Sequence, residues 1–398
     1  MNKVLPIFIA FMIFTMLLLS SCNNEKTISP DTEEKMIALE NFLLIDGTGA
    51  QPVKDKVILI KDNGIIKVDD KQNVQIPDTC KRVDLKGYTL LPGFINTHVH
   101  KAYDEKQLQK WLAAGVTTVR DLSARDLTDY IQKRDQYNKN PSNTRLVSAN
   151  PILKPPGGYG WLSVDSPEAA KEIVNKLIDN NVDIIKFSLE DDLQGRTYPI
   201  FSPEMAKAIT DAAHVRNKRV SVHISHNRNL RAAIDAGVDE FAHMVVDKLD
   251  DKLIDEIVKK DIYFIPTLEL WHGVSKMYKL KWDQSAMDNL LRFYKAGGKF
   301  AFGTDYEGYT CEFDQGFPIT EVTLMQKAGI SNMDIIVSAT KNAAFVCGLD
   351  KVLGTIEEGK KADILVVEGN PMEDISVLSK TRMVIHDGKI IVGEGLIK

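Results

Sequence analysis

Between residues 91 and 303 the chain alternates short apolar, β-branched runs with longer stretches whose apolar residues recur at helical spacing. Strands are predicted at 91–96, 116–122, 145–149, 183–188, 219–224, 240–244, 263–268 and 299–303. The intervening stretches read as helices. Over 167–179, for instance, Ala169, Ala170, Ile173, Val174, Leu177 and Ile178 form one apolar stripe. Ser166-Pro167 and Ser202-Pro203 each offer a capping hydroxyl followed by proline at the first helical position. Alternating strands and helices build a parallel sheet, and the span 93–347 is close to the roughly 250 residues of a (β/α)₈ barrel. The flanks have another rhythm. Residues 35–92 and 348–398 carry apolar alternation broken by turns such as Asp62-Asn63-Gly64 and Asp387-Gly388, which are hairpin signals. The predicted architecture is therefore α/β: a barrel over 93–347 and a small discontinuous β-sandwich built from both chain ends.

A third pattern precedes these. After Lys3, Val4 to Leu19 form a nearly unbroken apolar run ending in Leu19-Ser20-Ser21-Cys22. A basic start, an apolar middle and a small-residue end make 1–21 an export signal. The segment resembles the bacterial lipobox, which implies lipid modification at Cys22, a polar tether over 22–34, and a protein held at a bacterial membrane of the cell envelope by acyl chains. Composition adds exclusions. Apolar residues make up 44% and charged residues 26%, an ordinary globular balance. A net charge of −5 gives no footprint for nucleic acid. Apart from Cys22, Cys80, Cys311 and Cys347 lie at irregular spacing with no zinc-ribbon pattern and read as buried apolar residues. The oligomeric state is left open.

The candidate chemistry lies at strand tips. His98, His100, His223 and His243 fall at the predicted C-terminal ends of strands one, five and six, the face on which barrel enzymes carry their active sites. His98 and His100 are two apart on one strand, so both imidazoles share a side and can bind one cation. Lys186 and Asp305 land on two further tips. Tyr159, His226 and Arg228 are candidate substrate contacts, Arg228 because its planar fork suits a carboxylate; a solvated arginine at a helix start is the bland alternative.

With its Leu91-Pro92-Gly93-Phe94-Ile95-Asn96-Thr97-His98-Val99-His100, Ala114-Gly115-Val116-Thr117-Thr118-Val119-Arg120-Asp121 and Ala301-Phe302-Gly303-Thr304-Asp305 segments, the chain resembles the amidohydrolase superfamily. The branch it looks most like is that of prolidases and imidazolonepropionases, through Gly157-Gly158-Tyr159-Gly160 and Ile265-Pro266-Thr267-Leu268. The resemblance implies one or two divalent metal ions, zinc foremost. His98, His100 and Asp305 would hold one, His223 and His243 a second, and Lys186 would bridge them as a carbamate. It further implies hydrolysis of an amide carbon–nitrogen bond by a metal-bound hydroxide, with Asp305 as general base and then acid. A small dipeptide is the leading substrate; a cyclic amide is the alternative within the class, and a catalytically inactive ligand-binding lipoprotein the alternative outside it. Without carboxylation of Lys186 the site would hold a single metal. Met244 after His243, where relatives usually have glycine, and a short stretch between His100 and Ala114 set this pocket apart.

Overall fold

A computed structural model describes residues 36–124, 129–193 and 195–396; the export run and Cys22 lie outside them. The strands of the predicted parallel run are β1 Phe94–Val99, β2 Val116–Asp121, β3 Arg145–Ser148, β4 Ile185–Ser188, β5 Val220–His223, β6 Glu240–Phe241 and β7 Tyr263–Phe264. Parallel ladders join β1 to β2 and β2 to β3, and run from β4 through β5 and β6 to β7. One bridge from Ala149 to Ile184 carries the run from β3 to β4.

Two predicted strands are corrected. The run 91–96 is cut at Gly93: Tyr88–Pro92 belongs to another sheet, and β1 extends to Val99. Gly93 stands at the step between the two sheets, where a Cβ would lie 2.3 Å from the Thr117 side chain. Residues 299–303 form no regular strand, so seven of the eight expected strands are present among the described residues. The segment still bonds on both sides. Phe264 N donates to Lys299 O and Ala301 N to Phe264 O, while Thr97 N donates to Phe302 O at 2.9 Å.

The helix Pro167–Asp179 has the predicted bounds and Pro203–Val215 the predicted start, with the Ser166 and Ser202 hydroxyls accepting from the N–H groups of Ala169 and Met205. Ala170, Val174, Leu177 and Ile178 of the first bury against the parallel sheet in one large apolar cluster. At the flanks, Gly64–Asp70, Lys56–Lys61, Met36–Glu40 and Lys81–Asp84 form a four-stranded sheet in that order. A five-stranded sheet runs Leu43–Leu44, Tyr88–Pro92, Ile364–Glu368, Thr381–His386, Lys389–Val392. It therefore takes strands from both ends of the chain. Leu39, Ile58 and Ile60 of the first sheet share a core cluster with Leu90, Val366 and Ile385 of the second. Among the described residues no helix is long and apolar enough to cross a membrane.

Candidate metal centre and substrate cavity

The C-terminal ends of β1, β4, β5 and β6 bring His98, His100, Lys186, His223 and His243 together with Asp305. His98 lies within β1, and its Nδ1 is 2.9 Å from the Ala242 carbonyl oxygen. A carbonyl only accepts, so Nδ1 carries the hydrogen and the Nε2 lone pair faces inward. Asp305 Oδ1 lies 2.9 Å from that Nε2 and 2.8 Å from His100 Nε2. On the other side His223 Nδ1 and His243 Nε2 stand 3.0 Å apart, with His243 Nδ1 on the Thr267 hydroxyl at 2.9 Å. Ligand atoms of His98, His243 and Asp305 lie within 4.8 Å of one another, all three residues buried. Electron-pair donors that converge in this way repel unless a cation lies between them. The edge of a tetrahedral zinc site with bonds near 2.0–2.1 Å is about 3.3 Å, so the observed spacings need open by only a few tenths of an ångström. The donor set of imidazoles and a carboxylate fits a divalent metal.

Lys186 is fully buried and its Nζ has no hydrogen-bond partner among the described residues. Asn150 fixes its backbone, Oδ1 accepting from Lys186 N at 2.8 Å and Nδ2 donating to Lys186 O at 3.0 Å. Burial pushes its ammonium down to about 7, against the raising charges of Glu240 and Asp305. Burial likewise takes His98 to about 3 and His243 well below its usual value. Burial alone would raise Asp305, but His98 and His100 hold it well below the carboxylate range. Beneath this layer Arg120 and Glu240 form a fully buried ion pair, and Arg120 Nε also donates to Thr97 O at 2.7 Å. That pair closes the floor.

Above the site is a cavity of about 280 Å³, whose walls include Tyr103, Asp121, Ile152, Tyr159, Trp161, Lys101 and Glu307. Tyr159 stacks on His223, ring centroids 4.5 Å apart. His226 and Arg228 stand outside these walls. Arg228 makes a two-pronged ion pair with Asp191, both contacts 2.8 Å, and His226 Nδ1 points toward Glu190 Oε1 at 3.6 Å.

Three neighbours were not picked out from the sequence. Lys101 pairs with Glu307 at 2.8 Å on the cavity wall. Asp121 accepts from the N–H groups of Ala102 and Ser123, and burial raises its carboxyl to about 6. Glu190 is buried beside His223. Burial works to raise it, but His223, His226 and Ser225 hold it down to about 2. A signal existed for Glu190: Lys186, Ser188 and Glu190 fall on one face of an extended run with period two.

Residues 89–391 match the amidohydrolase family. The chain is 24% identical to the ochratoxinase of Aspergillus niger, over 93% of its own length and 89% of that protein. It is 25% identical to the guanine deaminase of Escherichia coli, over 79% of its length and 82% of the relative. A solved Xaa-Pro dipeptidase with methionine in its active site is 25% identical and superposes with a TM-score of 0.80, covering 89% of this chain and 99% of that one. A prolidase complexed with N-methylphosphonate-L-proline, 22% identical, gives a TM-score of 0.79 over 90% of this chain and all of the other.

Proposed function

The chain belongs to the amidohydrolase family of enzymes acting on carbon–nitrogen bonds, and from that premise we propose that it hydrolyses the amide bond of a small dipeptide. The observation that carries this reading is the convergence of His98, His100, His223, His243 and Asp305 around the Lys186 Nζ, which has no hydrogen-bond partner among the described residues. The likeness to an Xaa-Pro dipeptidase at a TM-score of 0.80 supports the substrate class.

In this reading the parallel run closes as a (β/α)₈ barrel over 93–347, with 299–303 in the eighth place, supported by its hydrogen bonds to Phe264 and Thr97. Residues 35–92 and 348–398 form the β-sandwich; 1–21 are an export signal, 22–34 a tether and Cys22 the lipidated residue that holds the enzyme at the cell envelope. A Cys22→Ser variant then moves from the membrane to the soluble fraction with its activity unchanged.

His98, His100 and Asp305 would hold one divalent ion, His223 and His243 another, with Lys186 between them as a carbamate; burial supplies the neutral amine that adds carbon dioxide. When bound, zinc acidifies water and polarises a carbonyl. The chain's own groups do the rest. Asp305, beside both β1 histidines, takes the proton from the attacking water and returns it to the amine nitrogen as the amide bond breaks. Tyr159 and Trp161 wall the substrate from solvent. Lys101 meets the substrate's carboxylate, since Lys101 and Lys186 are the cations lining this cavity among the described residues, and the exposed Lys101–Glu307 pair costs little to exchange.

The test is to offer zinc-loaded protein Xaa-Pro and Xaa-Arg dipeptides beside cyclic amides and follow amine release. Metal-dependent cleavage of dipeptides is expected. Cleavage confined to cyclic amides, or surviving chelation, overturns the reading.

A further inference from the structure

Glu190 is a charged side chain 1% exposed, and neither the floor nor the sandwich uses it. Its Oε2 accepts from the Ser225 hydroxyl and faces His223 Nε2 at 3.4 Å. Its Oε1 accepts from Asp192 N at 3.3 Å and faces His226 Nδ1 at 3.6 Å. The Ser188 hydroxyl accepts from the Glu190 N–H at 3.1 Å, which fixes the backbone that delivers this carboxylate.

A neutral imidazole has one N–H and one lone pair. On His223 the nitrogen turned toward Glu190 is Nε2, and Nδ1 is the one 3.0 Å from His243 Nε2. His223 Nε2 makes no hydrogen bond among the described residues and lies 3.4 Å from Glu190 Oε2; because an ionised carboxylate only accepts, it favours the hydrogen on that Nε2, which leaves the Nδ1 lone pair directed at His243. The Ala242 carbonyl does the same for His98 with a neutral acceptor. A charged acceptor does more, because it raises the basicity of the ligating nitrogen as well as choosing the tautomer.

We infer that Glu190 is the positioning residue of the second metal position, holding His223 in the Nε2–H tautomer so that its Nδ1 and His243 Nε2 donate to one cation. The inference rests on the reading of His223 and His243 as metal ligands. A rival use of the same residues is a separate cation site, because Glu190, Asp191 and His226 bring ligand atoms within 4.8 Å of one another. The surroundings of Asp191 oppose it. Both its oxygens accept from the Arg228 guanidinium and Oδ1 also from Asn229 Nδ2 at 2.7 Å, so an added cation would sit beside a fixed positive charge.

The experiment measures zinc per chain and zinc affinity against a competing chelator for the full chain and its Glu190→Gln, Glu190→Ala, Asp191→Asn and His226→Ala variants. The ¹⁵N shifts of His223 are recorded in the metal-free forms. Glu190→Ala is expected to weaken one zinc by about 10–100-fold and to leave His223 a mixture of tautomers. Glu190→Gln, whose amide oxygen still accepts, falls between it and wild type and keeps the proposal testable should the alanine variant not fold. Asp191→Asn and His226→Ala keep the wild-type count. Wild-type affinity and an unchanged His223 tautomer in both Glu190 variants would overturn the inference while leaving the hydrolase reading standing. Loss of one zinc in Asp191→Asn or His226→Ala overturns it in favour of a separate site. A wild-type protein that binds no zinc overturns both readings.

Discussion

Asp305 sits in left-handed backbone, φ 59°, and the turn that follows closes through Gly308 N donating to Asp305 O at 2.8 Å. A Cβ on Gly308 would lie 2.2 Å from Asp305 Oδ2, so the carboxylate would have to shift relative to the His98 and His100 nitrogens it converges with. Gly308→Ala is therefore expected to lower kcat/KM at least about tenfold, since small displacements of a catalytic group are costly. Equal activity in the variant would show that the carboxylate has room to move. At Lys101, substitution by methionine is expected to raise KM for a dipeptide with a free carboxylate and leave the KM of its amidated counterpart unchanged. An equal rise for both would remove Lys101 from carboxylate recognition. The site histidines were legible because a spacing of two and the strand-tip rule act on the sequence alone. Lys101 and Asp121 were not, and Glu190 only by its period-two spacing from Lys186, because what distinguishes them is a partner far along the chain or beside them in space: Glu307, the Ala102 and Ser123 amides, and His223.

At the scale of elements, periodicity placed helices better than strands. The caps at Ser166 and Ser202 are local chemistry, so their helices could be read from the chain. The seventh strand ends at Phe264, and the end of the predicted run 263–268 instead turns at Thr267, in left-handed backbone with φ 48°, into the helix Leu268–Tyr278. That helix is tied down by carboxylates. Glu321 Oε2 accepts from Glu269 N at 2.6 Å, Glu269 Oε1 from Asp314 N at 2.6 Å, and Asp314 Oδ2 from Thr320 N at 2.7 Å. Glu321 is wholly buried, and burial pushes its carboxyl up to about 8. The folded protein then keeps a proton that the unfolded chain has lost, so stability falls as pH rises from about 4.5 through about 8. Glu321→Gln removes the ionisation and keeps the accepting oxygen. The variant should melt with wild type near pH 5 and above it at pH 9, by an amount on the order of 2–4 kcal/mol. A constant difference across pH would mean that Glu321 ionises in the fold without cost.

For the whole molecule, composition and rhythm already separated the parallel α/β part from its β flanks, but not how the two are fastened. Sequence spacing carries no trace of that joint, because its two sides, Gly93 and Arg145 against Asp363, are hundreds of residues apart. Gly93 N, at the step from the flanking sheet into β1, donates to Asp363 O at 2.9 Å. The buried Asp363 carboxylate receives the Arg145 guanidinium from the start of β3, accepts from Asp387 N at 2.8 Å, and lies 3.4 Å from His386 Nδ1. Burial would raise this carboxyl, yet Arg145 and His386 hold it well below the carboxylate range. Removing one partner of a buried ion pair typically costs 3–5 kcal/mol; because Arg145 keeps some exposure, Asp363→Asn is expected to cost about 2–3 kcal/mol. A depressed carboxyl contributes its stability above its unfolded value, near 3.9, and loses it as pH falls through that value toward the folded one. The gap between wild type and Asp363→Asn should therefore hold from about pH 5 upward, shrink steadily as pH falls below about 4, and vanish only near the folded value far beneath the carboxylate range, in urea melts followed down that pH series. A gap that persists undiminished in acid would assign the cost to lost packing between the sheets, and the joint would then be apolar in origin.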